Sequence, residues 1–200
     1  MILEHTYGLF THPKHEWHDI HDHPETPTRL FFNHTLILAL IPAVCWYFGT
    51  TQVGWTVGDG DPVKLSADSA LVIAILSYFA MIGAVFTLGV TINWMAQTYG
   101  AESTLSKGIA VASYTATPLF LAGFFGLYPV VWLDLTLGLA AVSASVYLLI
   151  SGIPIIMDIS KEQGVFFAVA LMAAATIGGI ILLVATILLW DMGAAPVFVS

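Results

Sequence analysis

The stretch GVFFAVALMAAATIGGIILLVATILLW, from Gly164 to Trp190, contains no charged residue. About 20 apolar residues are enough for an α-helix to cross a bilayer. Inside lipid every backbone polar group needs a partner, and a helix supplies those partners within one segment. The stretch therefore predicts a membrane-spanning helix.

Four further apolar runs precede this stretch, which gives five predicted spans at about 30–48, 70–96, 108–127, 130–150 and 164–190. The chain has 200 residues, 58% hydrophobic and only 9% charged, whereas soluble domains carry about 25% charged residues. Pro129 suits the first turn of a new helix, so the third and fourth spans are predicted to form a tight hairpin. We predict an all-α integral membrane protein with an N-terminal segment (1–29), a five-helix domain (30–190) and a tail (191–200).

Basic residues predict how the bundle is oriented, because lysine and arginine concentrate in cytoplasmic loops. One side of the predicted bundle carries Lys14, Arg29, Lys107 and Lys161, and the other side carries Lys64. The beginning of the chain is polar and acidic and lacks the pattern of a signal peptide. We therefore expect a cytoplasmic N-terminus and an external C-terminus.

Composition also excludes several kinds of function. A net charge of −8 argues against binding to nucleic acid and against a polybasic lipid-binding surface. Cys45 is alone, which excludes an intrachain disulfide and a cysteine-based zinc site. Neither a Gly-x-Ser-x-Gly motif nor a Ser/Lys arrangement is present. We expect no catalysis; the expected partners are membrane lipids, further copies of the chain or other membrane proteins.

The stretch HPKHEWHDIHDHPE, from His12 to Glu25, holds five of the seven histidines. Pro13 suits the first position of a helix and Pro24 would end it. On that helix Trp17 and Ile20 lie opposite the polar side chains. The stretch therefore predicts a short amphipathic helix whose apolar face lies on the membrane or on the bundle.

The polar face of this helix carries four side chains that could hold a metal ion: His15, His18, Asp19 and Asp22. Imidazole and carboxylate at this spacing can bind zinc or copper. Such pairs are also ordinary partners on a solvated helix surface. The solvated face is the favoured interpretation, with adventitious zinc or copper binding, or a response to pH, as the minor one. No other cofactor is expected.

The third span contains SYTATPLFLAG, in which Pro118 removes one helical hydrogen bond. Nearby hydroxyl groups can satisfy the freed carbonyl, and such helices either pack tightly or line a substrate path. Asp134 lies one turn into the fourth span, either within the membrane or at its interface. The residues of a polar path or packing motif would be Ser113, Tyr114, Thr115, Thr117, Pro118, Asp134, Ser143, Ser145, Tyr147, Gly152 and Pro154.

Small residues four positions apart predict close contacts between helices. They occur in the fourth and fifth spans, as Ala140/Ala144, Ala141/Ser145, Ala174/Gly178 and Ala175/Gly179. Whether these contacts form within one chain or between chains stays open at this point. Gly152 and Pro154 are predicted to stop the fourth helix. Between the first two spans, the loop TTQVGWTVGDGDPVKLSADS carries a turn at Gly-Asp-Gly-Asp-Pro and predicts a small external hairpin.

Two stretches resemble the Yip family of membrane proteins: SYTATPLFLAGFFGLYP and, further along, YLLISGIPIIM. The opening YGLFTHP and the external loop look like the bacterial inner-membrane branch of that family. The resemblance extends from about Tyr7 to Trp190. It implies five membrane helices, a cytoplasmic N-terminus and a place in the bacterial inner membrane.

The resemblance implies little chemistry. Eukaryotic members of the family act in vesicle traffic with Rab partners, which bacteria lack, so this partner role does not transfer. The family pattern includes Phe10, His12 and Pro13 but does not require the later histidines. The leading hypothesis is a non-enzymatic protein that organises membrane or partner proteins. The alternatives are a small transporter or channel and a metal- or pH-responsive protein.

Overall fold

The computed structural model describes residues 2–56, 61–98, 100–101 and 103–199. Two short helices open the chain, α1 (Ile2–Thr11) and α2 (Pro13–Asp22). The five long helices are α3 (Pro27–Val53), α4 (Ala67–Thr98), α5 (Leu105–Leu127), α6 (Val131–Ile156) and α7 (Lys161–Met192). Each is long and apolar enough to cross a membrane, so the prediction of five spans is confirmed.

Local sequence signals set the beginnings of these helices. Ser160 and Gln163 cap α7 reciprocally, each side chain accepting a hydrogen bond from the other residue's backbone N–H. Thr104 accepts a hydrogen bond from the N–H of Lys107 at the beginning of α5. A break at Pro129 separates α5 from α6, in agreement with the predicted hairpin.

The end of α6 differs from the prediction. The helix does not stop at Gly152 and Pro154 but continues to Ile156. Pro154 lies in the last turn and removes one helical hydrogen bond, a loss that membrane helices tolerate when neighbouring groups satisfy the freed carbonyl. Gly152 is required by packing, because a Cβ there would lie 2.5 Å from Cε2 of Trp17. The prediction that these two residues end the fourth span is therefore wrong.

The long helices α4 and α5 cross closely at Gly89 and Gly108. A Cβ on Gly89 would lie 3.0 Å from Cα of Ile109, and one on Gly108 would lie 3.1 Å from Cβ of Asn93. Such close approach of two backbones requires small residues. The pairs predicted from spacing differ among themselves: Ala141 and Ser145 are buried on α6, while Ala174/Gly178 and Ala175/Gly179 lie on the exposed surface of α7.

The loop between α3 and α4 pairs with the C-terminal tail. Trp55 and Val63 form an isolated antiparallel bridge, as in the predicted hairpin. Residues 58–60 of its predicted turn at 58–62 lie outside the described residues. The adjacent strand β1 (Lys64–Leu65) pairs with β2 (Phe198–Val199) of the tail. Tail and loop are therefore joined at the end of the bundle opposite to α1 and α2.

The bundle is centred on α5. In an 18-residue apolar stretch of α5, 61% of the residues are buried. The corresponding stretches of α4 and α7 are only 6% and 17% buried. The outward surfaces of α4 and α7 are apolar and exposed, as expected for helices that face lipid. The N-terminal helices and α3 pack around α5 and α6 and complete the core.

Candidate functional site

Trp17 holds α2 against the bundle. Its side chain is completely buried, and its ring lies over Gly152 of α6. Ile20, one turn later, is also buried in the same core. The apolar face of this helix was expected to lie either on the membrane or on the bundle. In the structure it lies on the bundle.

The first helix, α1, closes over the same region. Leu9 is buried, and the His5 ring lies edge-on to Tyr114 of α5 with centroids 5.7 Å apart. A Cβ on Gly8 would meet the Glu16 carboxylate, the mobile end of that side chain, so α1 lies directly against the Glu16 side chain of α2. The two helices therefore form one folded unit beside the beginning of α5 and the end of α6.

A π-helical turn in α3 aims two neighbouring polar side chains at α5. The turn runs from Phe31 to Thr35 and places both His34 and Thr35 in the core. The Thr35 hydroxyl donates to Oγ of Ser113 over 2.9 Å. Nε2 of His34 lies 2.9 Å from Oγ1 of Thr117. Four polar groups of α3 and α5 thus satisfy one another inside the bundle.

One nitrogen of His34 is left over. The Thr117 hydroxyl donates to the carbonyl of Ser113 over 3.4 Å, so its oxygen accepts the proton on Nε2 of His34. Nδ1 of His34 therefore carries a free lone pair. Among the residues that the structure describes it has no partner, although His34 is only 1% exposed. Buried polar atoms without a partner are uncommon and indicate a functional constraint or a missing ligand.

The structure does not assemble the predicted polar path. Ser113, Tyr114, Thr115, Thr117 and Pro118 are buried along α5, and Ser145 and Gly152 are buried on α6, but Ser143 and Tyr147 lie on the exposed surface of α6. Asp134 is half-buried in the first turn of α6, at the opposite end of the bundle from Pro154. The set therefore divides between the core, the lipid-facing surface and the far end.

Two cavities lie between the N-terminal helices and α5. One has a volume of about 440 Å³ and is bordered by His21, Lys107 and Ile156 among others. The other has about 240 Å³ and is bordered by Arg29, Asn33 and His34. Both are also lined by His5, Glu25, Leu30 and Tyr114.

An ion-pair cluster ties α2 to the connection between α6 and α7. Asp158 of that connection lies 3.1 Å from Nε2 of His21 and 3.1 Å from Nζ of Lys107. Hydrogen bonds with Asp22 and, next, with Asp158 raise the pKa of His21 above its ordinary value of 6.5. Hydrogen bonds from His21 and, next, from Lys107 lower the pKa of Asp158 below its ordinary 3.8.

Replacing Asp158 with asparagine is expected to lower the thermal unfolding temperature slightly, because exposed ion pairs contribute less than about 1 kcal/mol. A carboxyl group whose pKa is lowered by folding stabilises the folded protein at pH values above its unfolded pKa of 3.8. That contribution is lost as the pH falls through the folded pKa. The difference between wild type and Asp158→Asn should thus be present at about pH 7 and vanish in acid. Asp61→Asn, at an exposed position on the far loop, is the control. A difference that persists in acid would exclude this linkage.

The predicted metal ligands are not brought together. His15 and His18 are exposed. In the part of the chain that the structure describes, the three potential ligands whose donor atoms all lie within 4.8 Å of one another are His5, Glu16 and Asp19. Asp19 is common to both sets. Sequence reasoning missed His5 because α1 lies outside the histidine stretch and reaches α2 only through the fold.

The two docked helices and the five spans extend over nearly the whole chain. One family match covers almost the same range. The Yip1 domain matches residues 7–188. The chain belongs to the Yip1 family. Because the match begins within α1 and ends within α7, the docked α2 and its Trp17 are part of the Yip1 domain.

Two curated relatives give the same result. Both are described as inner membrane protein YohC, one from Escherichia coli strain K12 and one from Escherichia coli O6:H1 strain CFT073. Each is 40% identical to this Yip1 chain over 191 residues, which covers 96% of the chain and 98% of the relative. No solved structure matches. Five apolar spans and this identity make the chain a multi-pass protein of the inner membrane, and the predicted Yip resemblance is confirmed.

Proposed function

We propose that this Yip1 protein is a non-catalytic component of the inner membrane that organises other membrane proteins. It would do so through the exposed side of its docked N-terminal helices. The proposal rests on one observation: this unit is buried on one side and exposed on the other. Trp17, Ile20 and Leu9 fix it to the bundle, while Tyr7 and Phe10 remain exposed beside polar histidines.

The exposed side chains form what we call the N-terminal face: Tyr7, Phe10, His12, His15 and His18. Aromatic side chains combine a large contact area with few rotatable bonds, so they are frequent in protein interfaces. Tyr7 is 72% exposed although it lies on a helix that is packed on its other side. An ordered helix with exposed aromatic residues is suited to binding a protein partner without a large ordering cost.

The distribution of charge supports a cytoplasmic location for this face. Lys107 and Asp158 lie beside α2, at the same end as Lys14, Arg29 and Lys161. Lys64 lies with β1 at the opposite end. Four of five basic residues thus share the end that carries the N-terminal face, which is the pattern of a cytoplasmic side.

A transporter is less well supported by the same geometry. The hydroxyl groups of Thr35, Ser113 and Thr117 are engaged in bonds between α3 and α5. Ser143 and Tyr147, which the path would need, face outward from α6. Engaged hydroxyl groups in a packed core stabilise helix contacts rather than coordinate a passing solute.

Photo-crosslinking in intact cells tests the proposal. A photoreactive residue at Tyr7 is expected to give discrete adducts with membrane proteins. The matched control is Phe166, an aromatic residue on the apolar surface of α7 that is 78% exposed; it should give lipid adducts instead. Protein adducts absent at Tyr7, or solute flux by the purified protein in proteoliposomes, would contradict the proposal.

A further inference from the structure

The contact between α1 and α2 contains a group of metal-binding side chains that the proposed function does not use. Nδ1 of His5 and Oε1 of Glu16 are in hydrogen-bonding contact. Oδ2 of Asp19 lies 3.9 Å from the same nitrogen. The three donor atoms lie within 4.8 Å of one another, and His5 and Glu16 are largely shielded from solvent. One ion at their centre could touch all three.

The composition of this group fits a borderline divalent ion. Zinc binds imidazole nitrogen and carboxylate oxygen, usually with four ligands. His23 offers a fourth donor, because its Nδ1 lies 3.2 Å from Oδ1 of Asp19 and its ring is mostly exposed and free to turn. Glu16 and Asp19 place two carboxylates beside one imidazole, and this excess of negative charge favours the binding of a cation.

Two further features lie next to the group. Gly8 leaves the space that the Glu16 carboxylate occupies, since any Cβ at this position would collide with it. His5 also lines the 240 Å³ cavity together with His34. His34 is 99% buried, and within the described part of the chain its Nδ1 has no partner. An unpaired imidazole nitrogen therefore lines the same cavity as His5.

We propose that His5, Glu16 and Asp19 form a binding site for a zinc-type divalent ion that joins α1 to α2. The ion would replace the direct contact between His5 and Glu16 and fix α1 on the bundle. The site differs from the surface set read from the sequence, of which it keeps only Asp19. It does not depend on the proposed organising function.

Zinc titration of the full-length protein in lipid nanodiscs, after removal of metal with a chelator, tests the site. Isothermal calorimetry should show a single ion per chain that binds more tightly than the remaining histidines do. Glu16→Gln and Asp19→Asn should each weaken it by about tenfold or more. The matched control is His15→Ala/His18→Ala on the same helix, which should bind zinc as the wild type does.

Gly8→Ala supplies a variant in which no ligand is removed. Its methyl group should displace the Glu16 carboxylate and weaken zinc binding. In the presence of chelator, all variants should unfold at temperatures close to that of the wild type. Zinc should also protect α1 from proteolysis in wild type but not in Glu16→Gln. Equal zinc affinity in wild type, Glu16→Gln and Asp19→Asn, or loss of binding in the His15/His18 control, would overturn the site. Either result would leave His5 and Glu16 as a hydrogen-bonded pair without a metal.

Discussion

Replacing Trp17 with alanine is expected to destabilise the protein by about 3–5 kcal/mol, the usual cost of emptying a buried tryptophan site. The ring is completely buried between Gly152 of α6 and Tyr114 of α5, whose ring centroid lies 6.2 Å away. Loss of the ring should also free α1 and α2 from the bundle. The unfolding free energy in detergent and the rate of proteolysis before Pro24 measure these two effects.

Trp132→Ala is the matched control, because this tryptophan is 69% exposed at the beginning of α6. Its removal should change the unfolding free energy by no more than about 0.5 kcal/mol. Equal effects of the two substitutions would mean that Trp17 does not dock α2. Unchanged proteolysis of Trp17→Ala would contradict the role of this side chain in holding the N-terminal helices.

Replacing Gly108 with leucine is expected to separate α4 from α5 at a cost of about 3 kcal/mol or more, at the upper end for overpacked cores. The carbonyl of Gly89 and the backbone of Asn93 occupy the space into which the new side chain would grow. Because α5 is the central helix, the shift should be transmitted to its contacts with α3. Thermal unfolding in detergent is the measurement.

Gly178→Leu on α7 supplies the comparison, since no heavy atom of the described residues lies within 4 Å of a Cβ placed there. A leucine at this exposed apolar position should leave the unfolding temperature of the single chain unchanged. If Gly178→Leu were as disruptive as Gly108→Leu, the outer surface of α7 would be a packed interface rather than a lipid-facing one.

The existence of the five membrane helices could be predicted because it depends on composition over long windows. A run such as 164–190 has one low-energy conformation in lipid, the helix, and it needs no tertiary contact to form it. The break at Pro129 was predictable for a similar reason, because proline acts on the backbone next to it. Pro154 shows the limit of this reasoning, since proline in a last helical turn is tolerated.

The contacts between helices were less predictable. Gly108 and Gly178 both lie in apolar helices beside other small residues, yet one is at a tight crossing and the other faces outward. Spacing along one helix identifies a smooth surface but not the partner that covers it. The crossing of Gly89 and Gly108 depends on where two separate helices meet, which the spacing within either helix does not encode.

The polar centre of the bundle was predicted on one side only. Ser113 and Thr117 were recognised on α5, but their partners His34 and Thr35 were not. Two neighbouring residues normally point about 100° apart on an α-helix, and here a π-helical turn aims both at α5. Likewise Asp19 was recognised as a candidate metal ligand, whereas His5 joins it only after α1 folds over α2.

Photo-crosslinking at Tyr7 in docked and undocked protein tests most directly whether the anchored N-terminal face engages partners. The same photoreactive residue is introduced into wild type, Trp17→Ala and the Trp132→Ala control, all at matched expression in the inner membrane. We predict discrete protein adducts in wild type and Trp132→Ala and their loss in Trp17→Ala. Adducts of equal intensity in all three would contradict the account, because partner binding would then be independent of the fold that presents this face.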